Sequence, residues 1–180
     1  MNRQAELAIP VDKTDHVLGP DSASVVLVEY GDFECPNCAQ AYAAVKMLLG
    51  RFEHRIRFVF RHFPLEVHPH AELAAEAAEA AGAQHKFWPM YDLLFEHASH
   101  LKPKDLRDYA GRIEVDLERY DYEMGDQVYR QRVNEHVEGG GRSGVRSTPT
   151  FFVNGAVVDV SFGLAHLADA VAAATRHATR

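Results

Sequence analysis

Tyr30-Gly-Asp-Phe-Glu-Cys-Pro-Asn-Cys38 holds the only two cysteines of a 180-residue chain, three positions apart. An apolar run, Val25 to Val28, enters this stretch like a buried strand, and apolar residues at helical spacing, from Ala39 to Leu49, leave it. Cys35 therefore stands at a strand-to-helix junction, where unpaired backbone N–H groups and the helix dipole favour an anion. A thiolate is more accessible there than in a free cysteine of pKa about 8.5, and the spacing lets Cys38 close a disulfide within one helical turn. Pro36 falls in the first turn, where its missing N–H costs nothing.

Outward from the pair, the pattern predicts an α/β fold. Cys35, Cys38, Tyr42, Val45 and Leu49 mark one helical face, and Ile56-Arg-Phe-Val-Phe60 alternates as a second strand, so a parallel βαβ unit is expected. From His70 to about Val137 the chain turns helical, with segments at Glu72–Ala81, Trp88–His97 and Lys104–Ile113 and a further stretch from Leu117 to His136. Gly139-Gly-Gly141 is expected to end this insertion, because three glycines oppose both helix and strand. Thr150-Phe-Phe-Val153, the type I′ turn signal Asn154-Gly155 and Ala156-Val-Val158 then predict an antiparallel hairpin. A last amphipathic helix carries Leu164, Leu167, Ala168, Val171 and Ala174 on one face. The expected organisation is an N-terminal arm at 1–17 with a short edge strand near Leu7 to Val11, an α/β domain at 18–66 and 142–180, and an inserted helical subdomain at 67–141.

Composition narrows the function. An apolar fraction of 47% and a charged fraction of 25% are those of a globular protein, and a formal charge of −7 argues against nucleic acid or an anionic membrane as partner. No run approaches the roughly 18 apolar residues of a membrane span. The N-terminus lacks the apolar core of a secretory signal, which predicts a cytoplasmic protein if Met1 is the natural start and a periplasmic or extracytoplasmic one if a leader was removed. Two cysteines make no disulfide framework, so redox or metal chemistry is expected of them.

The strand-to-helix Cys35-Pro-Asn-Cys38, the segment Gly144-Val-Arg-Ser-Thr-Pro-Thr150 before the hairpin and the helical insertion together resemble the DsbA-like branch of the thioredoxin superfamily, over Leu18 to Ala174. The resemblance implies a thioredoxin-like fold with a central mixed sheet, βαβ then ββα, and a cis Thr148–Pro149 bond lying against the cysteines. It implies that Thr148 and Pro149 contact an extended substrate segment, and Pro36 and Asn37, between the sulfurs, complete the expected contact set. Glu29, six residues before Cys35, stands where such proteins often carry a buried acid. Burial raises a carboxyl pKa, and an acid near Cys38 then takes up and returns its proton.

The expected function is thiol-disulfide exchange with protein or peptide thiols, served by a redox-recycling partner and needing no cofactor or metal beyond the Cys35–Cys38 disulfide. Cys35 attacks and leaves; Cys38 resolves. Pro36-Asn37 departs from the Pro-His of strong oxidants in this family and from the Gly-Pro of thioredoxins, which predicts a less oxidising pair and leaves the direction open. Two rivals stand beside this reading. One is a metal- or cluster-binding module built on the cysteines, with His68-x-His70 as the nearest further ligands. The other is a peptide-binding chaperone whose groove is lined by Phe33, Phe63, Trp88 and Tyr91, residues that equally suit a core. His62 and Glu34 are weaker candidates for tuning the Cys35 thiolate.

Overall fold

The computed structural model describes residues 5–161 and 163–178. Residues 1–4 of the expected arm, Met1 among them, and Phe162 and residues 179–180 of the 142–180 segment lie outside the described residues. Strand β2 (Val25–Gly31) is buried on both faces and forms the middle of a sheet ordered β1–β3–β2–β4–β5. Its partners are β3 (Ile56–His62), parallel, and β4 (Thr150–Val153), antiparallel; β1 (His16–Leu18) and β5 (Ala156–Val158) form the margins. Helix α1 (Pro36–Arg51) joins β2 to β3. Five helices follow before β4: α2 (Ala71–Gly82), α3 (Phe87–Glu96), α4 (Pro103–Arg112), α5 (Leu117–Gly125) and α6 (Arg130–Arg142). Helix α7 (Ala165–His177) follows β5. This is the mixed α/β order expected from the sequence. Among the described residues no helix is long and apolar enough to cross a membrane.

Period-2 alternation divides the core into two faces. Val25, Leu27, Phe58, Phe60, Phe151 and Val153 join the buried residues of α1, α2, α3 and α7, while Val28, Tyr30, Val59, Val145 and Phe152 form a second cluster on the opposite side. Each fully buried phenylalanine contributes about 2 to 3 kcal/mol of apolar burial. The hairpin turn has the backbone predicted for it, with Asn154 at φ 49° and Gly155 at φ 86°.

Two expectations are corrected and a third is resolved in more detail. The edge strand is His16–Leu18, not Leu7 to Val11. Pro10 has no N–H to give a ladder, and Arg61 grips this part of the arm from the side instead, donating to the Ile9 and Pro10 carbonyls at 2.8 and 3.0 Å and to both oxygens of Asp15 at 2.8 Å. Earlier in the arm, Glu6 bridges Ala156 at the other margin of the sheet, where Leu7 N–H donates to the Gly155 carbonyl at 2.9 Å. The stretch from Leu117 to His136 is two helices, parted after Gly125 by a turn in which Gln127 has φ 52°.

Finally, Gly139-Gly-Gly141 is helical and lies in the last turn of α6, which stops at Arg142, so the glycines do not act by opposing helix. A Cβ on Gly140 would come within 2.7 Å of the Phe63 ring and 3.0 Å of the Tyr30 ring, and one on Gly139 within 3.1 Å of Ile9. Only glycine lets the helix approach the second face this closely, and that packing outweighs a propensity cost of about 1 kcal/mol per glycine.

Candidate active site

The chain leaves β2 at Gly31 and turns through Asp32-Phe-Glu34 into α1, with Cys35 as the N-terminal cap in an extended conformation (φ −76°, ψ 122°) and Pro36 at the first helical position. Asp32 makes the turn by accepting the Glu34 N–H on Oδ1 at 2.8 Å, and its carbonyl accepts the Cys35 N–H at 3.1 Å. Both cysteines are free thiols. Cys38 is fully buried, and Cys35 is 5% exposed.

Across from Cys35 lies the segment before β4. The Thr148–Pro149 peptide is cis, and the Cys35 Sγ–H donates to the Thr148 carbonyl at 3.5 Å. The Thr148 hydroxyl is buried with no hydrogen-bond partner.

The two sulfurs are electrostatically unequal. A hydrogen bond from the Cys38 thiol, reinforced by the backbone N–H groups of Cys38 and Asn37 at the helix start, brings Cys35 down to about 5 against the opposing effect of burial. Burial and the neighbouring Cys35 sulfur push Cys38 far up, so it stays a thiol. Glu29 completes the set. It sits mid-strand between Phe60 on β3 and Phe151 on β4, is fully buried, and neither carboxyl oxygen has a hydrogen-bond partner. Burial first, and the Cys35 charge second, push it up to about 8. Alternation along β2 turns Glu29 to the same side as Leu27, the side of the cysteines, so it is not a solvated edge residue.

The expected contact residues separate into two groups. Asn37, Thr148 and Pro149 line a groove of about 330 Å³ together with Gln40, Ser147 and Leu164, three residues that sequence reasoning did not single out. Pro36 is exposed at the helix start and does not line it. No pattern could have found Gln40 or Leu164, since they reach the groove from α1 and from the approach to α7. Asp32 was missed as well, although an acid two residues ahead of the next turn residue is an Asx-turn signal.

Residues named for the rival readings are otherwise engaged. His68 and His70 do not converge: His68 Nδ1 meets Asp32 Oδ2 at 2.6 Å, and His70 Nδ1 meets Glu34 Oε1 at 2.8 Å. His62 is buried with Nε2 on Glu79 Oε1 at 2.8 Å, away from the role of tuning Cys35. Among the described residues one group has metal-like spacing, His62, Glu79 and His136, and the cysteines are not in it. It is partly committed: the other Glu79 oxygen meets His16 Nε2 at 2.9 Å and His136 Nδ1 accepts the His62 backbone N–H at 3.1 Å, while His136 Nε2 and His62 Nδ1 are buried without a hydrogen-bond partner. The four aromatics do not form one groove either. Phe33, Trp88 and Tyr91 pack in the core with Phe60 and Phe95, and Phe63 lies on the opposite face.

Comparison with known proteins agrees with this geometry. The family described as thioredoxin matches residues 11–173. Among solved structures, oxidised BdbD from Bacillus subtilis superimposes with a TM-score of 0.86 at 22% identity, covering 97% of this chain and 100% of that one. α-DsbA1 from Wolbachia pipientis gives 0.80 at 17% identity, covering 98% of each chain. Both share the fold. In sequence, the chain is 50% identical over 171 residues to a protein of Salinispora arenicola named Na(+)/H(+) antiporter NhaA 1, which covers 94% of this chain and 26% of that protein. The chain spans about a quarter of the length of the curated relatives it matches.

Proposed function

The chain belongs to the thioredoxin family, and on that premise we propose that it is a thiol-disulfide oxidoreductase acting on protein or peptide thiols through Cys35 and Cys38. The observation that carries this reading is the inequality of the pair: an ionised, cap-position Cys35 and a buried Cys38 held as a thiol on the side of the sheet that carries an unpartnered acid.

In the reducing direction, the Cys35 thiolate attacks a substrate disulfide, forming a mixed disulfide and releasing the first substrate thiolate. Cys38 then gives its proton to the Glu29 carboxylate and attacks Cys35 Sγ, releasing the second substrate thiolate and closing the Cys35–Cys38 disulfide. Oxidation of a substrate dithiol runs the same steps backward, with protonated Glu29 returning the proton to Cys38. The groove beside Pro149 receives the extended substrate, with Thr148 and Asn37 in contact and Pro36 at its approach. No cofactor is needed beyond the disulfide, and a recycling partner restores the starting state.

Direction follows from the thiolate. A low pKa stabilises the reduced pair and makes the disulfide more oxidising; thioredoxin, near 7, lies at about −270 mV and DsbA, near 3.5, at about −120 mV. A Cys35 held below the thioredoxin value therefore supports a pair more oxidising than thioredoxin, suited to a compartment outside the cytoplasm. Equilibration in glutathione buffers reads the potential, insulin reduction and dithiol-peptide oxidation read the activity, and Cys35→Ser is expected to bring both activities to background. A pair that forms no intramolecular disulfide, or a Cys35→Ser variant with full activity, would overturn the reading. Labelling of Cys35 by a membrane-impermeant maleimide in intact cells checks the compartment.

A further inference from the structure

Asp32 poses a charge problem for the site. Its carboxylate is buried directly behind the Cys35 turn and accepts three N–H groups: Glu34 N–H at 2.8 Å, Leu65 N–H at 2.9 Å and the His68 ring at 2.6 Å. A buried negative charge so placed opposes a thiolate at Cys35, and the Pro36-Asn37 dipeptide carries no cation to offset it. The offsetting group comes from the loop between β3 and α2.

Resting on the proposed exchange reaction, we propose that His68 is a positioning residue: as an imidazolium on Asp32 it neutralises the charge behind Cys35 and favours the thiolate, in place of a histidine between the cysteines. The loop is built to hold it there. Leu65 N–H clips the start of the loop to Asp32, and His70 clips its end to Glu34 through both its backbone N–H, at 2.6 Å, and its ring. The His68 ring is one-fifth exposed, so it exchanges protons with solvent. The groups that bear on it are Asp32, Glu34 and Cys35; His70, on the same loop, is turned onto Glu34. The hydrogen bond to Asp32 is the largest effect and raises the His68 pKa; burial opposes it, and the smaller effects of the Asp32, Cys35 and Glu34 charges add to the rise, so the imidazolium persists higher in pH than in a free histidine.

Coupling between two groups is reciprocal. If the His68 charge favours the thiolate, the thiolate must favour the His68 charge, and closing the disulfide must weaken it. The experiment uses the whole chain and two measurements. Thiolate absorbance near 240 nm and iodoacetamide alkylation, both against pH, give the Cys35 titration in the wild type, in His68→Asn, which keeps an N–H donor to Asp32 without the charge, and in His68→Lys, which keeps the charge. The expected result is a Cys35 pKa about one unit higher in His68→Asn, a roughly tenfold lower alkylation rate at pH values below that pKa, and partial recovery in His68→Lys. A purely structural clip predicts that His68→Asn leaves the curve in place, and that result overturns the proposal. NMR titration of His68 in the reduced and oxidised wild type needs no variant to fold: its pKa should fall on oxidation, and identical titrations in the two states also overturn the proposal. A wild-type Cys35 that titrates like a free thiol would instead undercut the exchange reaction itself, so the two failures are told apart.

Discussion

Two buried carboxylates in this molecule have opposite fates. Glu79, on α2, has a histidine nitrogen on each oxygen, His62 at 2.8 Å and His16 at 2.9 Å. Burial alone would push it up, but those two hydrogen bonds reverse this and hold it ionised well below the usual carboxylate range. Glu29, on β2, is equally hidden and has no partner on either oxygen, so nothing opposes burial and it rises to about 8. A buried charge that is fully hydrogen-bonded joins elements together, here β1, β3 and α2. A buried acid left without partners costs stability and keeps a proton available at neutral pH.

The largest way to break this comparison is to empty the satisfied site. Glu79→Ala leaves the buried His62 and the half-buried His16 imidazoles without their acceptor and should cost about 3 to 5 kcal/mol in urea unfolding at pH 7. Glu29→Gln should act with the opposite sign. The folded pKa of Glu29 is about 8 and its ordinary value 4.5, so between those values the folded state binds the proton that the unfolded chain releases. Its unfavourable contribution is absent below about pH 4.5, grows with rising pH and levels off above about pH 8. Removing the carboxyl should therefore stabilise the protein by about 3 kcal/mol at pH 7 and by little at pH 4.5, while slowing resolution by Cys38. A Glu29→Gln variant that is less stable than wild type at pH 8 would erase the contrast. The smallest test moves from charge to packing. Gly140→Ala forces a methyl into Phe63 and should cost about 1 to 3 kcal/mol, whereas Gly141→Ala, which meets nothing within 4 Å, should be neutral or stabilising by up to about 1 kcal/mol in the same unfolding assay.

What was legible in the sequence follows the range of each interaction. The cysteine pair, the Asn154-Gly155 hairpin and the alternation of Ile56 to Phe60 are local patterns, and all appear where the pattern puts them. The place of Glu29 on its strand was legible for the same reason. Its lack of partners was not, because that depends on β3 and β4 bringing Phe60 and Phe151 alongside it. The glycine run was misread because propensity is a local quantity, and the Tyr30 and Phe63 rings that require glycine come from two other parts of the chain. His68 and His70 looked like one ligand pair because they are near in sequence, whereas each answers a different acid across the active-site turn.

The N-terminal segment has a further consequence. Residues 5–7 hydrogen-bond to the hairpin at β5, the chain then crosses the face that carries Tyr30 and Arg61, and His16–Leu18 pairs with β3 at the far margin. One stretch of chain thus pairs with the outer edges of both β3 and β5. Exposed strand borders are where separate molecules join into aggregates, and here the two are not guarded independently. Freeing the arm uncovers both at once, which makes each molecule able to join neighbours on two sides, and growth of a chain of molecules needs two sides. The same linkage means that while the arm stays in place, the outer edges of β3 and β5 are both taken.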